Sequence, residues 1–150
     1  MGMREILEFA IAQEEEAAAF YAGLAGRTGS AAMKQVFGEF SREEIGHKVR
    51  LQAVLNGDAT FAGDKAGTVP DLKIADYLVE VDPAHDPLDY QNALIIAMKK
   101  EKAAFRMYSD MAAGIAEPDL REVFDGLARE EARHKLRFEV EYDERILADN

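Results

Sequence analysis

The chain has 150 residues, 48% of them hydrophobic, which suits one domain with its own core and excludes a disordered chain. Its formal charge of −11 argues against nucleic acid and anionic membrane as partners. It holds no cysteine, which removes disulfides, thiolate catalysis and any rubredoxin or iron–sulfur module within this chain.

The first stretch, MGMREILEFAIAQEEE, turns acidic too early for a secretory signal. The apolar run ALIIAM (residues 93–98) is too short to span a membrane. A soluble cytoplasmic protein is expected. Four segments read as helices, over about residues 3–26, 30–55, 88–114 and 118–147. The first carries the stripe Leu7, Ala10, Ile11, Glu14, Ala17, Ala18, Tyr21 and Leu24, in which Glu14 is the one charged member. A second stripe of Ile6, Phe9, Phe20 and Leu24 makes Glu16 the rival inward glutamate, and would form a homodimer interface because Phe9 and Phe20 would otherwise be exposed.

Ser30 is placed to cap the second helix. Its seam is Met33, Phe37, Phe40, Glu44, His47, Leu51 and Val54, so Glu44 and His47 sit mid-seam while Glu43 lies off it. The connection over residues 56–86 is long, with one or two helical turns near DLKIADYL, and can cross the bundle from end to end. Asp86 caps the third helix and Pro87 takes its first position. That helix gives Leu94, Ala97, Met98, Glu101, Ala104, Phe105, Tyr108 and Met111, again with one glutamate. Pro118 opens the fourth, whose seam is Leu120, Phe124, Leu127, Glu131, His134 and Phe138 and loses its apolar character at Glu141. The first and third connections are short, so both helix pairs are antiparallel hairpins.

The two hairpins match at a constant offset of 87 residues: Glu14 with Glu101, Tyr21 with Tyr108, Glu44 with Glu131, His47 with His134. The stretch REEIGHK (residues 42–48) returns as REEARHK (residues 129–135). One hairpin is used twice, and whatever stands at the centre is expected in pairs. The inferred core therefore holds four glutamates and two histidines. Leaving even one carboxylate buried and unpaired costs several kcal/mol, and no Lys or Arg lies on the stripes. Two divalent cations would balance the four negative charges. Mixed carboxylate and imidazole donors suit iron or manganese better than calcium. A lone Glu-x-x-His is weak, because Glu43 and His47 at i,i+4 make an ordinary surface pair. Two copies at equivalent seam positions, with one glutamate on each other helix, form the known pattern of di-metal carboxylate bundles.

Over essentially the whole bundle the chain resembles the rubrerythrin branch of the ferritin-like superfamily. The resemblance rests on EEEAAAFY (residues 14–21), EEIGHK (43–48), EKAAFRMY (101–108) and EEARHK (130–135). It implies an all-α, ferritin-like four-helix bundle made of two repeated hairpins with a long crossover between helices 2 and 3. It implies two iron ions per chain, although manganese or zinc can take such sites in a given preparation. Glu44 and Glu131 would bridge the metals, Glu14 and His47 would serve one, and Glu101 and His134 the other. Tyr21 and Tyr108 would be hydrogen-bonded to ligand carboxylates. The activity implied is an oxidoreductase of ferroxidase or peroxidase type, with dioxygen or hydrogen peroxide as oxidant and a separate electron donor.

The chain departs from that family pattern in two ways. It lacks the cysteines of a rubredoxin domain, and Ala104 stands where rubrerythrins proper carry a further carboxylate. The six-ligand set is closer to a bacterioferritin ferroxidase pattern, whereas the long connection and the lack of an evident fifth helix argue against a storage cage. Iron handling without rapid turnover, and a metal-free structural bundle, are the alternatives. His85 reads as a loop residue, the methionines as packing, and Glu15, Glu16, Glu43 and Glu130 as solvated.

Overall fold

A computed structural model of the chain describes residues 2–57, 74–79 and 90–147. Four helices form the body: α1 (Met3–Arg27), α2 (Ala31–Leu55), α3 (Tyr90–Gly114) and α4 (Pro118–Tyr142). No strand occurs among the described residues. One 3-10 turn, Ile74–Tyr77, lies in the long connection, and five residues of π-helical turn, Asp143–Leu147, follow α4. The fourth segment thus ends its regular helix at Tyr142, earlier than the sequence pattern suggests.

Local chemistry accounts for the boundaries. The Ser30 hydroxyl accepts from the Met33 N–H at 3.2 Å, as expected of an N-cap. Pro118 stands in the first turn of α4, and the Glu117 carboxylate before it accepts from the N–H groups of Asp119 and Leu120. Beyond α2, Gly57 takes a positive φ of 74°, a conformation that glycine adopts at no steric cost. The expected start of the third helix at Asp86 and Pro87 lies outside the described residues, as does His85.

Both hairpins are antiparallel, and the core divides into two apolar clusters. One joins Leu7 and Ala10 of α1, Leu51 and Val54 of α2, Met107 and Met111 of α3, and Leu120 and Phe124 of α4. The other joins the opposite halves: Tyr21 and Leu24, Met33 and Phe37, Leu94 and Ala97, and Phe138. Each helix therefore contributes one half to each end, and every pair of neighbouring helices is antiparallel. α2 ends in the first cluster and α3 begins in the second, at opposite ends of the bundle. Between them, Tyr77 packs into the first cluster and donates its hydroxyl to Asp110 of α3 at 2.6 Å.

The seams of α2 and α4 are buried at every expected position. The face of α3 and the end of α4 differ from the sequence pattern. Phe105 is 39% exposed, and Met107 and Ile96 are buried, because the inward face of α3 turns toward Ala93, Ile96 and Met107. Glu141 is buried at the end of the α4 seam, where Tyr90 donates to it at 2.7 Å. The seam continues past Phe138 because a tyrosine hydroxyl satisfies the carboxylate. Phe9 and Phe20 are half-buried within the monomer, against the first and second clusters respectively, and Lys100 lies 5.5 Å over the Phe20 ring. The exposure that suggested a dimer interface is therefore largely removed.

The two phenylalanines make a direct test of this packing. Phe124→Ala opens a cavity at a fully buried site and is expected to cost about 3–5 kcal/mol. Phe105→Ala is expected to cost about 1 kcal/mol or less. Urea unfolding of both variants decides it, and equal losses would contradict the assignment of the α3 face.

Candidate metal centre

Between the two apolar clusters lies a polar layer. Glu14 of α1, Glu44 and His47 of α2, Glu101 of α3, and Glu131 and His134 of α4 meet there, none more than 2% exposed. The structure thus brings together all six residues singled out by the repeat. Glu16, the rival to Glu14, is on the surface with a side chain 61% exposed, paired with Lys100 at 2.8 Å.

The histidines face the carboxylates through Nδ1. His47 Nδ1 lies 2.9 Å from Glu131 Oε1, 3.4 Å from Glu14 Oε2 and 3.5 Å from Glu44 Oε1. His134 Nδ1 lies 3.2 Å from Glu44 Oε1 and 3.6 Å from Glu101 Oε2. The rings are nearly parallel, 6.2 Å apart. Two overlapping groups of donor atoms result, Glu14–Glu44–His47–Glu131 and Glu44–Glu101–Glu131–His134, each with its donors within 4.8 Å of one another. Glu44 and Glu131 belong to both groups.

The tyrosines complete the layer across the bundle. Tyr21 of α1 donates to Glu101 Oε1 of α3, and Tyr108 of α3 donates to Glu14 Oε1 of α1 at 2.6 Å. Each tyrosine follows its own helix's glutamate by seven residues, and helical side chains lean toward the N-terminus. With α1 and α3 antiparallel, each hydroxyl therefore reaches back to the glutamate of the opposite helix. Burial, reinforced by the nearby glutamates, pushes both phenols well above their ordinary value and keeps them protonated as donors. One oxygen of Glu14 and of Glu101 is thereby occupied, and the other is left free.

Glu43 and Glu130 are not simply solvated. Glu43 reaches across to His134 Nε2 at 3.3 Å and Glu130 to His47 Nε2 at 3.5 Å, while Arg133 and Arg50 hold the outer sides of these carboxylates. In REEIGHK the first glutamate therefore serves the histidine of the other repeat and not its own neighbour. This contact joins α2 to α4 and has no signal at helical spacing within either helix. The signal available was the repeat itself, because Glu43 and Glu130 are also a matched pair.

The chemistry of these donors fits a metal. Among the described residues, the buried polar atoms without a hydrogen-bond partner are Glu14 Oε2, Glu44 Oε1, Glu101 Oε2, Glu131 Oε1, both nitrogens of His47 and Nδ1 of His134. All but His47 Nε2 point into the shared space. Orphaned buried polar atoms are costly, and so many in one place call for a ligand. Without one, the layer holds protons instead. Burial, with the charges of the neighbouring glutamates, drives Glu44 and Glu131 well above the usual carboxylate range. Burial alone would lower the histidines. Hydrogen bonding and charge from Glu14, with Glu44 and Glu130, outweigh it at His47, and Glu101 with Glu44 does so at His134, so both stand at about 9.

Raised values in the folded state mean that folding favours the protonated forms. Each histidine's contribution is complete below its unfolded value of 6.5 and is lost as pH rises through about 9. Glu44 and Glu131, also raised, act in the same direction. Chelator-treated protein is therefore expected to melt at progressively lower temperature between pH 6.5 and 9, and divalent metal is expected to flatten that decline. A metal-free melting temperature that rises over this range would contradict the charge balance described.

Relatives place this layer in a family. A crystal structure of a candidate ferritin-like diiron-carboxylate protein from Thermotoga maritima superposes with a TM-score of 0.79, covering 97% of this chain and 96% of that one at 22% identity. At that identity the match establishes the fold alone, a ferritin-like four-helix bundle. No curated protein sequence matches the chain. The family model described as Rubrerythrin matches residues 5–142, which takes in all four helices and every residue of the polar layer, and the chain belongs to the rubrerythrin family.

Proposed function

We propose that the polar layer holds two iron ions and that the loaded protein is an oxidoreductase coupling Fe(II) oxidation to reduction of dioxygen or hydrogen peroxide. The observation that carries the reading is the pair of overlapping donor groups sharing Glu44 and Glu131, lined by unpartnered buried atoms. A metal-free structural bundle would gain nothing from these atoms and would be more stable with apolar residues in their place.

In this reading Glu14 and His47 would hold one metal and Glu101 and His134 the other, with Glu44 and Glu131 available to both. Two ferrous ions would supply the two electrons that, with two protons, reduce hydrogen peroxide to two waters or dioxygen to hydrogen peroxide. The chain's own residues set the conditions for this. Tyr21 and Tyr108 occupy one oxygen of Glu101 and of Glu14 and leave the second facing the centre. Glu43 meets Nε2 of His134 at 3.3 Å and Glu130 stands 3.5 Å from Nε2 of His47, so negative charge on the outer side of each ring favours a proton there and leaves Nδ1 for ligation. The apolar clusters on both sides of the layer exclude water. With no cysteine to hold an iron–sulfur or rubredoxin centre, electrons for a second turnover come from a separate donor.

Anaerobic Fe(II)-loaded protein mixed in a stopped-flow instrument with each oxidant tests this. The expected result is a ferric absorption in the near ultraviolet, with two Fe(II) consumed per hydrogen peroxide, and its loss in Glu131→Ala. If neither oxidant outpaces the oxidation of free Fe(II) in the same buffer, the oxidoreductase reading fails.

A further inference from the structure

The polar layer is closed on one side and open on the other. On the α2–α4 side the stacked histidines and Glu43 and Glu130, held by Arg133 and Arg50, cover it. On the α1–α3 side a cavity of about 30 Å³ runs from the four buried glutamates outward to the partly exposed Gln13 and Lys100. Its walls include Ala17 of α1 with Ala103 and Ala104 of α3, and Tyr77 from the connection lies along one edge. Ala17 and Ala104 are repeat partners, as are Gln13 and Lys100, so the passage follows the approximate two-fold relation of the hairpins. Tyr77 and Val79, which come from the connection, depart from it, and Tyr77 is held by its bond to Asp110. Lys100 is drawn aside by Glu16 and the Phe20 ring. The free oxygens of Glu14 and Glu101 belong to glutamates that line this space, so it ends on ligand-ready atoms and not on packed hydrocarbon.

Resting on the metal reading above, we infer that this passage is the entry route for the oxidant and that Ala104 sets the largest molecule it admits. The space is narrow: about 30 Å³ is open to a water-sized molecule, where roughly 10–15 Å³ suffices for one, so it takes only a molecule of a few heavy atoms. Dioxygen, hydrogen peroxide and nitric oxide fit such a space. An alkyl hydroperoxide with a branched carbon chain does not. The methyl of Ala104 is the wall that a larger side chain would push into the cavity.

The test uses nitric oxide as a probe of access, because its binding to Fe(II) is read without turnover. Ala104→Leu and Ala103→Leu are compared with the unaltered protein, all loaded anaerobically. Both alanines are only partly buried, so either position can take a leucine, and the second variant carries the test if the first does not fold. The expected result is unchanged iron content and a nitric oxide association rate about tenfold or more below that of the unaltered chain. Oxidation by hydrogen peroxide should slow in parallel, and tert-butyl hydroperoxide should react poorly even with the unaltered protein. Wild-type nitric oxide rates in a folded, iron-loaded variant overturn the passage and leave the function intact. Slowed nitric oxide binding in a protein that neither oxidant oxidises sinks the function and keeps the passage. A chain that takes up no iron overturns both.

Discussion

Four carboxylates share one dry layer, and their mutual repulsion has to be cancelled. At about 5 Å in a medium of effective dielectric constant near 20, each pair of ionised carboxylates repels by about 3 kcal/mol. Several such pairs rival the whole net stability of a domain this size, roughly 5–15 kcal/mol. Protons on Glu44, Glu131 and the two histidines cancel part of the charge in the metal-free chain. Divalent cations would do so more completely, and would displace those protons on binding. The rest of the bundle is arranged around this layer. Its two apolar clusters act as the lids that keep the layer dry.

The repeat explains why the layer can be balanced at all. One hairpin supplies a glutamate from its first helix and a Glu-x-x-His from its second, and the second hairpin supplies the same set from the opposite direction. The contacts that complete the site are exchanged between hairpins. Tyr21 holds Glu101 and Tyr108 holds Glu14, while Glu43 faces His134 and Glu130 faces His47. Neither hairpin alone makes these contacts, which ties the integrity of the site to the docking of the two halves. The symmetry is broken in its supports. Arg133, which holds Glu43, has Gly46 as its repeat partner, and Phe40, which stacks on His134 at 3.8 Å, has Leu127. Tyr77 closes one edge of the α1–α3 side only. The two halves of the layer therefore sit in different environments despite matching donors.

Much of this was legible from sequence because helical periodicity and an ungapped repeat constrain each other. Alternating three- and four-residue spacing placed Glu44 and His47 inside, and the repeat chose Glu14 over Glu16 by its distance to a tyrosine. The caps at Ser30 and Pro118 are local chemistry and were equally readable. What escaped depends on contacts between elements. Phe105 continues an apolar stripe on paper, but small changes in the rotation of α3 turn it outward and bring Met107 in. Glu141 looks like the end of a seam until Tyr90, from the start of another helix, satisfies it. Glu43 and Glu130 look like solvated neighbours of a histidine because the histidine each meets is on the facing helix. The passage beside Ala104 is invisible for the same reason, since a missing side chain leaves room only once its neighbours are in place.

Anaerobic Fe(II) titration of chelator-treated protein, followed by metal analysis and by melting temperature, tests the charge balance most directly. The account predicts saturation at two metal ions per chain, with a rise in melting temperature that Glu44→Ala and Glu131→Ala each abolish. Retention of no metal, with a melting temperature indifferent to both Fe(II) and chelator, would contradict it.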